Sequence, residues 1–403
     1  MLNNISNYSL LKAFFDKYAF VRIIAITLVS IIFIPMFQQA LLLDDFPAFS
    51  LKKSSSYSNN PLSNPVYTEQ FASSGITPEV HSVSVVFTGN NNMHAFWYGG
   101  EREGAKDVAI YTAQLDVKRN QWHSEKLLFN RANLSSQLNI YLKKLGNVVS
   151  IRDNEGKIWL FFVSVSIGGW AVSSINFVVS DDDARSWSKP RRLITSPMFN
   201  LSTLVKGEPF LYENGSIGLP VYHEMIGKFG ELLRLSPTGD VLDKARLSYG
   251  RSGLQPILLS FDSSTASVYL RNGTDAADST LLETKTIDSG KSWQKPYVTD
   301  LPNPNAAVSG MTIDSGGSLL VINNLHDKRN NLSLFYKAKN SQRWRLVHQF
   351  EHKKNTDDNE YEYSYPTIKQ SHDGNFHVLY TWNKTHIKHI RFNQAWLKDR
   401  IKK

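Results

Sequence analysis

An octapeptide pattern occurs twice in this chain, about a hundred residues apart. The copies are Ser180-Asp181-Asp182-Asp183-Ala184-Arg185-Ser186-Trp187 and Thr286-Ile287-Asp288-Ser289-Gly290-Lys291-Ser292-Trp293, and both run on into Lys-Pro. Each reads as hydroxyl, any residue, Asp, any, small, any, Ser, Trp. Such a run suits a tight turn: the Asp accepts turn N–H groups, the small residue takes an awkward backbone angle, and the Trp closes over the apolar side. A turn that recurs in this detail implies a repeated structural unit.

A second periodicity agrees. Polar turns rich in Gly, Asn, Asp and Ser precede short apolar or alternating strands at Met93–Tyr98, Lys157–Phe162, Ser216–Val221, Ala266–Leu270, Ser318–Ile322 and Phe376–Tyr380. The mean spacing is roughly 55 residues, within the range of a four-stranded propeller blade. The spacing therefore predicts an all-β fold, a six-bladed β-propeller over residues 75–397, with a large β-sandwich as the alternative. The chain has no cysteine, so packing must hold it; 403 residues with 12% aromatics suffice for that.

The N-terminal part differs in composition. Phe20 to Leu43 is almost wholly apolar and long enough to cross a bilayer. Lys12, Lys17 and Arg22 precede or begin it and Asp44 and Asp45 follow it, which predicts residues 1–19 in the cytoplasm and the remainder exported. An uncleaved transmembrane signal-anchor fits better than a cleaved signal peptide, because Gln38-Gln39-Ala40 lacks the small-x-small form that cleavage favours. Residues 44–74, rich in Ser, Asn and Pro, read as a flexible linker to a propeller in the periplasm or extracellular space, and 398–403 as a basic tail.

The net charge of +9 comes partly from these ends. No basic helix or dense Lys/Arg stripe argues for nucleic acid, and no Walker loop, dinucleotide fingerprint or His/Cys metal pair argues for a cofactor or a metal. His386 and His389 are three apart in a predicted strand, so they face opposite ways and read as structural.

In a propeller, residues at the same phase of each repeat gather at one mouth. The ends of the recurring strands bring Arg102 with Asp107 just beyond it, Ser164 or Ser166, His223 and Glu224, Arg271, Asn323 or Asn324, and Trp382 with Asn383. The starts of the preceding strands bring His81, Gln255, Ser309 and the cluster Tyr361 to Tyr365. Arginines, carboxylates and tyrosines at one mouth suit a carboxylated sugar, since guanidinium grips carboxylate and aromatic faces cover sugar rings. The expected partner is thus an acidic glycan or polysaccharide.

The chain resembles the sialidase (neuraminidase) superfamily, in particular its bacterial branch of predicted neuraminidases with BNR repeats. The two octapeptides carry the resemblance, together with Trp97 to Val108, Pro220 to Glu224, Leu254 to Pro256, Asp300 to Asn305 and Tyr363 to Pro366. It implies an exo-glycosidase with a tyrosine nucleophile primed by a glutamate, an aspartate acid/base and three arginines on the substrate carboxylate. The nucleophile resembles Tyr363, with Tyr365 as second candidate, the acid/base Asp107, and the arginines Arg271 and, as auxiliary, Arg102. The chain departs where His81 replaces a triad arginine and Gln255 the priming glutamate. Glu224 or Glu231 is a candidate for the missing carboxylate and Arg234 for the missing cation, while no third arginine is evident near Ala306 to Ser309.

Three functions fit these residues. The first is a membrane-anchored, sialidase-like exo-glycosidase releasing terminal sialic acid or a related acidic sugar. The second is a uronate lyase using His81 and Tyr363, and the third is a propeller that binds glycan without turnover.

Overall fold

The computed structural model describes residues 18–31, 33–34, 46–51, 64–90, 92–196, 200, 202–250, 252–274, 279–339, 341–354 and 360–402. The chain forms two compact units, Met1–Phe46 and Pro47–Lys403. In the first, residues 18–31 and 33–34 are helical with exposed apolar side chains. Among the described residues no helix is long and apolar enough to cross a membrane. The span expected over residues 20–43 falls partly outside the described residues, at 32 and 35–43, as do residues 1–17 of the expected cytoplasmic segment.

The second unit is a six-bladed β-propeller, and all six recurring strands of the sequence are its second, packed strands. Blade 1 comprises Glu79–Phe87, Met93–Gly100, Ala109–Asp116 and the short outer pieces Gln121–Trp122 and Lys126–Phe129. Blade 2 runs Lys144–Arg152, Ile158–Val165, Ser173–Ser180, Arg191–Arg192, and blade 3 starts from two short inner strands before Ile217–His223, Phe229–Leu235 and Val241–Arg246. Blade 4 is Gly253–Ser260, Ala266–Asn272, Thr280–Thr286, Tyr297–Pro302, and blade 5 is Ser309–Thr312, Ser318–Ile322, Asn331–Lys337, Arg345–His352.

Blade 6 is closed from the other end of the chain. Tyr363–Gln370, Phe376–Trp382 and His386–Phe392 are completed by Tyr67–Phe71, with Gln70 opposite His389. Residues 67–71, part of the stretch read as a linker, are thus a structural strand; the alternation in Tyr-Thr-Glu-Gln-Phe is too short to stand out beside the polar run before it. The basic end is likewise mostly helical: Gln394–Lys402 forms a helix that buries Trp396 and Leu397.

The core lies between blades. Successive interfaces each hold an apolar cluster, such as Phe96, Tyr98, Leu160 and Phe162 between blades 1 and 2, and Leu332, Leu334, Tyr363 and Tyr380 between blades 5 and 6. Side chains alternate along a strand, so each sheet buries both faces against its neighbours. Both octapeptides close the third strands of their blades. The Asp182 carboxylate accepts from the Arg185 and Ser186 N–H groups at 3.0 and 2.9 Å, and Ala184 takes φ 67°. The Ser186 amide and hydroxyl hold that carboxyl well below the usual carboxylate range.

Antiparallel strands put the starts of inner strands and the ends of second strands at one face. That face is the mouth, and the octapeptide turns lie on the other.

Candidate active site

Four inner strands begin with the same irregularity. Register slips between His81 and Ser84 in blade 1, Gly146 and Val148 in blade 2, Leu254 and Ile257 in blade 4, and Ser364 and Thr367 in blade 6. Ser82, Gln255 and Tyr365 sit in these bulges at φ 57°, 47° and 53°, a region costly for residues with a side chain. A bulge re-aims the side chain it displaces, and here it turns Gln255 and Tyr365 toward the axis. Close approach below supports them. A Cβ on Gly207 would lie 1.8 Å from the Pro256 carbonyl, so only glycine lets blade 3 reach this bulge. The buried Lys206 amine, which burial pushes down to about 8, donates to the Pro366 carbonyl at 3.1 Å.

Hydrogen bonds then join the floor residues. Arg271 Nη1 donates to Gln255 Oε1 at 3.1 Å, and Gln255 Nε2 and Asn147 Nδ2 each donate to the Tyr222 hydroxyl at 3.3 Å. Burial raises the Tyr222 phenol, and the Glu224 carboxylate raises it further. Burial likewise lifts Tyr98, with help from Glu103. Both therefore stay neutral hydrogen-bonding groups at any physiological pH. His81 stacks on Tyr98 at 5.5 Å between ring centroids, meets Tyr365 edge-on at 6.2 Å, and sets Nε2 3.4 Å from Glu79.

A cationic arm adjoins this floor. Arg271 Nε donates to Asn305 Oδ1 at 2.7 Å, and Arg329 Nη2 donates to the Asn305 carbonyl at 2.6 Å. Glu362 bridges Arg329 at 3.3 Å and Lys384 at 3.2 Å. Burial would raise its carboxyl, but those two cations hold it below the usual value.

Residues 91–378 match the model of the BNR repeat-like domain. The chain belongs to the BNR repeat-like family. Solved structures of similar fold bear out the sialidase-like propeller. One is a Hadza microbial sialidase, with TM-score 0.65 and 14% identity over 82% of this chain and 69% of that one. Another is the intramolecular trans-sialidase from Ruminococcus gnavus, with TM-score 0.64 and 12% identity over 82% of this chain and 97% of that one. A mutant of the NanB sialidase from Streptococcus pneumoniae gives TM-score 0.63 and 12% identity over 85% of this chain and 72% of that one. No curated protein matches the sequence.

In this BNR repeat-like chain the expected residues divide into four groups. Gln255 and Arg271 are hydrogen-bonded, His81 meets Tyr365 at the same face, and Glu224 follows the second strand of blade 3 there. Arg102 and Asp107 lie exposed in the loop of blade 1 at the same face, where the Asp107 carboxylate accepts from the Glu101 N–H at 2.7 Å. His223 is turned to the other side of its strand, stacked on Phe229 and 2.7 Å from Glu231, and Asn324 accepts from Asn331. Tyr363 and Arg234 are placed differently from expectation. The Tyr363 ring is 1% exposed in the apolar cluster of blades 5 and 6, against Tyr380, because it stands before the bulge and keeps the ordinary strand alternation. Burial and Glu351 raise its hydroxyl to about 12. Arg234 sits opposite Gly218, at the strand end away from the mouth, bound to Asp243 at 2.7 Å.

Sequence reading missed Arg329, Tyr98, Tyr222, Asn147 and Glu79. Tyr98 and Tyr222 were within reach, being near the ends of recurring strands. Arg329 was not: it lies beyond Ile322, the end of its strand, in a loop whose length the repeat does not fix.

Proposed function

We propose that this protein is a sialidase-type exo-glycosidase that removes a terminal acidic sugar, sialic acid or a relative, from glycans. The observation that carries the reading is the bulge of blade 6, which sets Tyr365 against His81 at the face where hydrogen bonds join Arg271, Gln255 and Tyr222. Arg271 and Arg329, linked through Asn305, grip the substrate carboxylate. Tyr365 attacks the anomeric carbon, Asp107 protonates the leaving oxygen, and Glu224 takes the phenol proton in the position left without a glutamate by Gln255. Arg102 sits above the leaving group.

Residues 20–43 serve as the anchor, with the propeller outside the cytoplasm. Digestion of the propeller by protease added to cells, or to spheroplasts where an outer membrane encloses them, checks this arrangement, and protection of the whole chain in spheroplasts contradicts it.

One observation favours a second chemistry. The His81 ring meets Tyr365 edge-on at the mouth, an arrangement able to supply base and acid for β-elimination from a uronate. A panel of acidic glycosides and polysaccharides separates the readings. Saturated reducing sugar supports hydrolysis, an ultraviolet-absorbing unsaturated product supports elimination, and binding without release of either contradicts both.

A further inference from the structure

The mouth face carries large apolar side chains that nothing in the catalytic reading uses. Tyr141 precedes the inner strand of blade 2, Ile167 follows its second strand, Met225 and Ile226 follow the second strand of blade 3, and Tyr249 precedes the inner strand of blade 4. Their exposures are 67, 79, 50, 88 and 69%. Three consecutive blades thus raise apolar tips on one side of the mouth. Scattered surface leucines need no account, but a set gathered on one face does.

Cations brace the same loops. Lys143 Nζ donates to the Gly168 carbonyl at 3.2 Å, joining the two loops of blade 2, and Lys228 Nζ donates to the Gly273 carbonyl at 3.2 Å, joining blades 3 and 4. Arg131 donates to the Lys143 carbonyl at 3.5 Å, and Lys144 lies 5.6 Å over Trp170. Met225 is held by its N–H to Ser202 Oγ at 2.9 Å, so the tip beside Ile226 is propped rather than folded inward. Lys143 is exposed and Arg131, Lys144 and Lys228 are half-buried, their stems leaning on the fold. Apolar tips flanked by four cations, with the Glu224 carboxylate beside Met225, match a layer with anionic headgroups above hydrocarbon.

We propose that the rim of blades 2–4 docks on an anionic lipid bilayer, with Ile167 and Ile226 dipping below the headgroups. The mouth then stands beside the membrane, and the glycans it meets there are carried on lipids or on membrane proteins close to the surface.

The chain contains no cysteine, so single labels can be placed at will. An environment-sensitive dye is attached in the full chain to Ile226→Cys, to Ile167→Cys, and to Ile287→Cys on the far face, where exposure is 74%. Depth is read at each position, so attachment of the N-terminal unit to the same vesicle does not mimic the result. With vesicles of mixed zwitterionic and anionic lipid, emission at 226 and 167 shifts to the blue and is quenched by acyl-chain-brominated lipid, while 287 is unchanged. Lys143→Glu with Lys228→Glu reduces both shifts. The proposal is overturned by absence of a shift at 226 and 167, by an equal shift at 287, or by an equal response to purely zwitterionic vesicles. It is also overturned by blue emission before lipid is added, which would show the rim covered by this chain or a second copy. None of these readouts depends on turnover.

Discussion

Arg271 Nη1 donates to Gln255 Oε1 at 3.1 Å, so the guanidinium meets a neutral amide where the sialidase resemblance expects a carboxylate. A neutral partner leaves the cation uncompensated on that side and free to answer an incoming anion. Gln255→Glu would give Arg271 a permanent ion pair. The account expects a rise in KM for a carboxylated glycoside of about tenfold, ~1.4 kcal/mol, with no such rise for its neutral ester. Equal effects on acid and ester would detach Gln255 from carboxylate recognition.

Arg329 reaches the site through Asn305. Arg329→Ala should raise KM for the carboxylated substrate by roughly tenfold to a hundredfold, with a smaller effect on kcat. Its other bond, to Glu362, is shared with Lys384, so the melting temperature should change little. A collapse of stability with unchanged KM would reassign Arg329 to structure.

The tyrosines separate by environment. Tyr363→Phe removes a hydroxyl from an apolar interface and should keep turnover within a few-fold. Tyr365→Phe should abolish turnover while the propeller stays folded by circular dichroism. The reverse pattern would return the nucleophile to Tyr363.

Acid should loosen blade 6. His389 Nδ1 accepts from Trp122 Nε1 at 3.2 Å, and its Nε2 faces His377 Nδ1 at 3.0 Å. Burial pushes His377 down to about 3, with Asp373 opposing and Arg391 adding to the depression; burial, His377 and Arg391 push His389 well below its ordinary value. Both groups bind fewer protons folded than unfolded. Their contribution is therefore complete above pH ~6.5 and is lost as pH falls toward about 3, at up to ~1.4 kcal/mol per pH unit for each histidine. His389→Gln should flatten the dependence of melting temperature on pH across that window. An unchanged slope would show that carboxylates alone govern acid unfolding.

A chain beginning at residue 72 lacks the strand that closes blade 6. It should lose cooperative unfolding, because Gln70 and its neighbours occupy the outer edge of His386–Phe392. A chain beginning at residue 47 should unfold as the full chain does.

The propeller was legible because its signals are local. The six packed strands and the two octapeptides each announce themselves within about ten residues. The closing strand was not, since Tyr67–Phe71 is defined by a partner more than three hundred residues away. Arg271, Gln255 and His81 were found by phase, which strand geometry preserves. Tyr363 and Tyr365 could not be ordered that way, as a bulge turns one toward the axis and leaves the other in the core, and bulges are not written in hydrophobic alternation.

Trapping the covalent intermediate tests the central claim most directly. The chain is incubated with a fluorinated, activated glycosyl donor of the acidic sugar it turns over, digested, and mapped by mass spectrometry. A glycosyl adduct on Tyr365 is the predicted result. An adduct on Tyr363 or on a carboxylate, or steady turnover with no adduct on any residue, would contradict it.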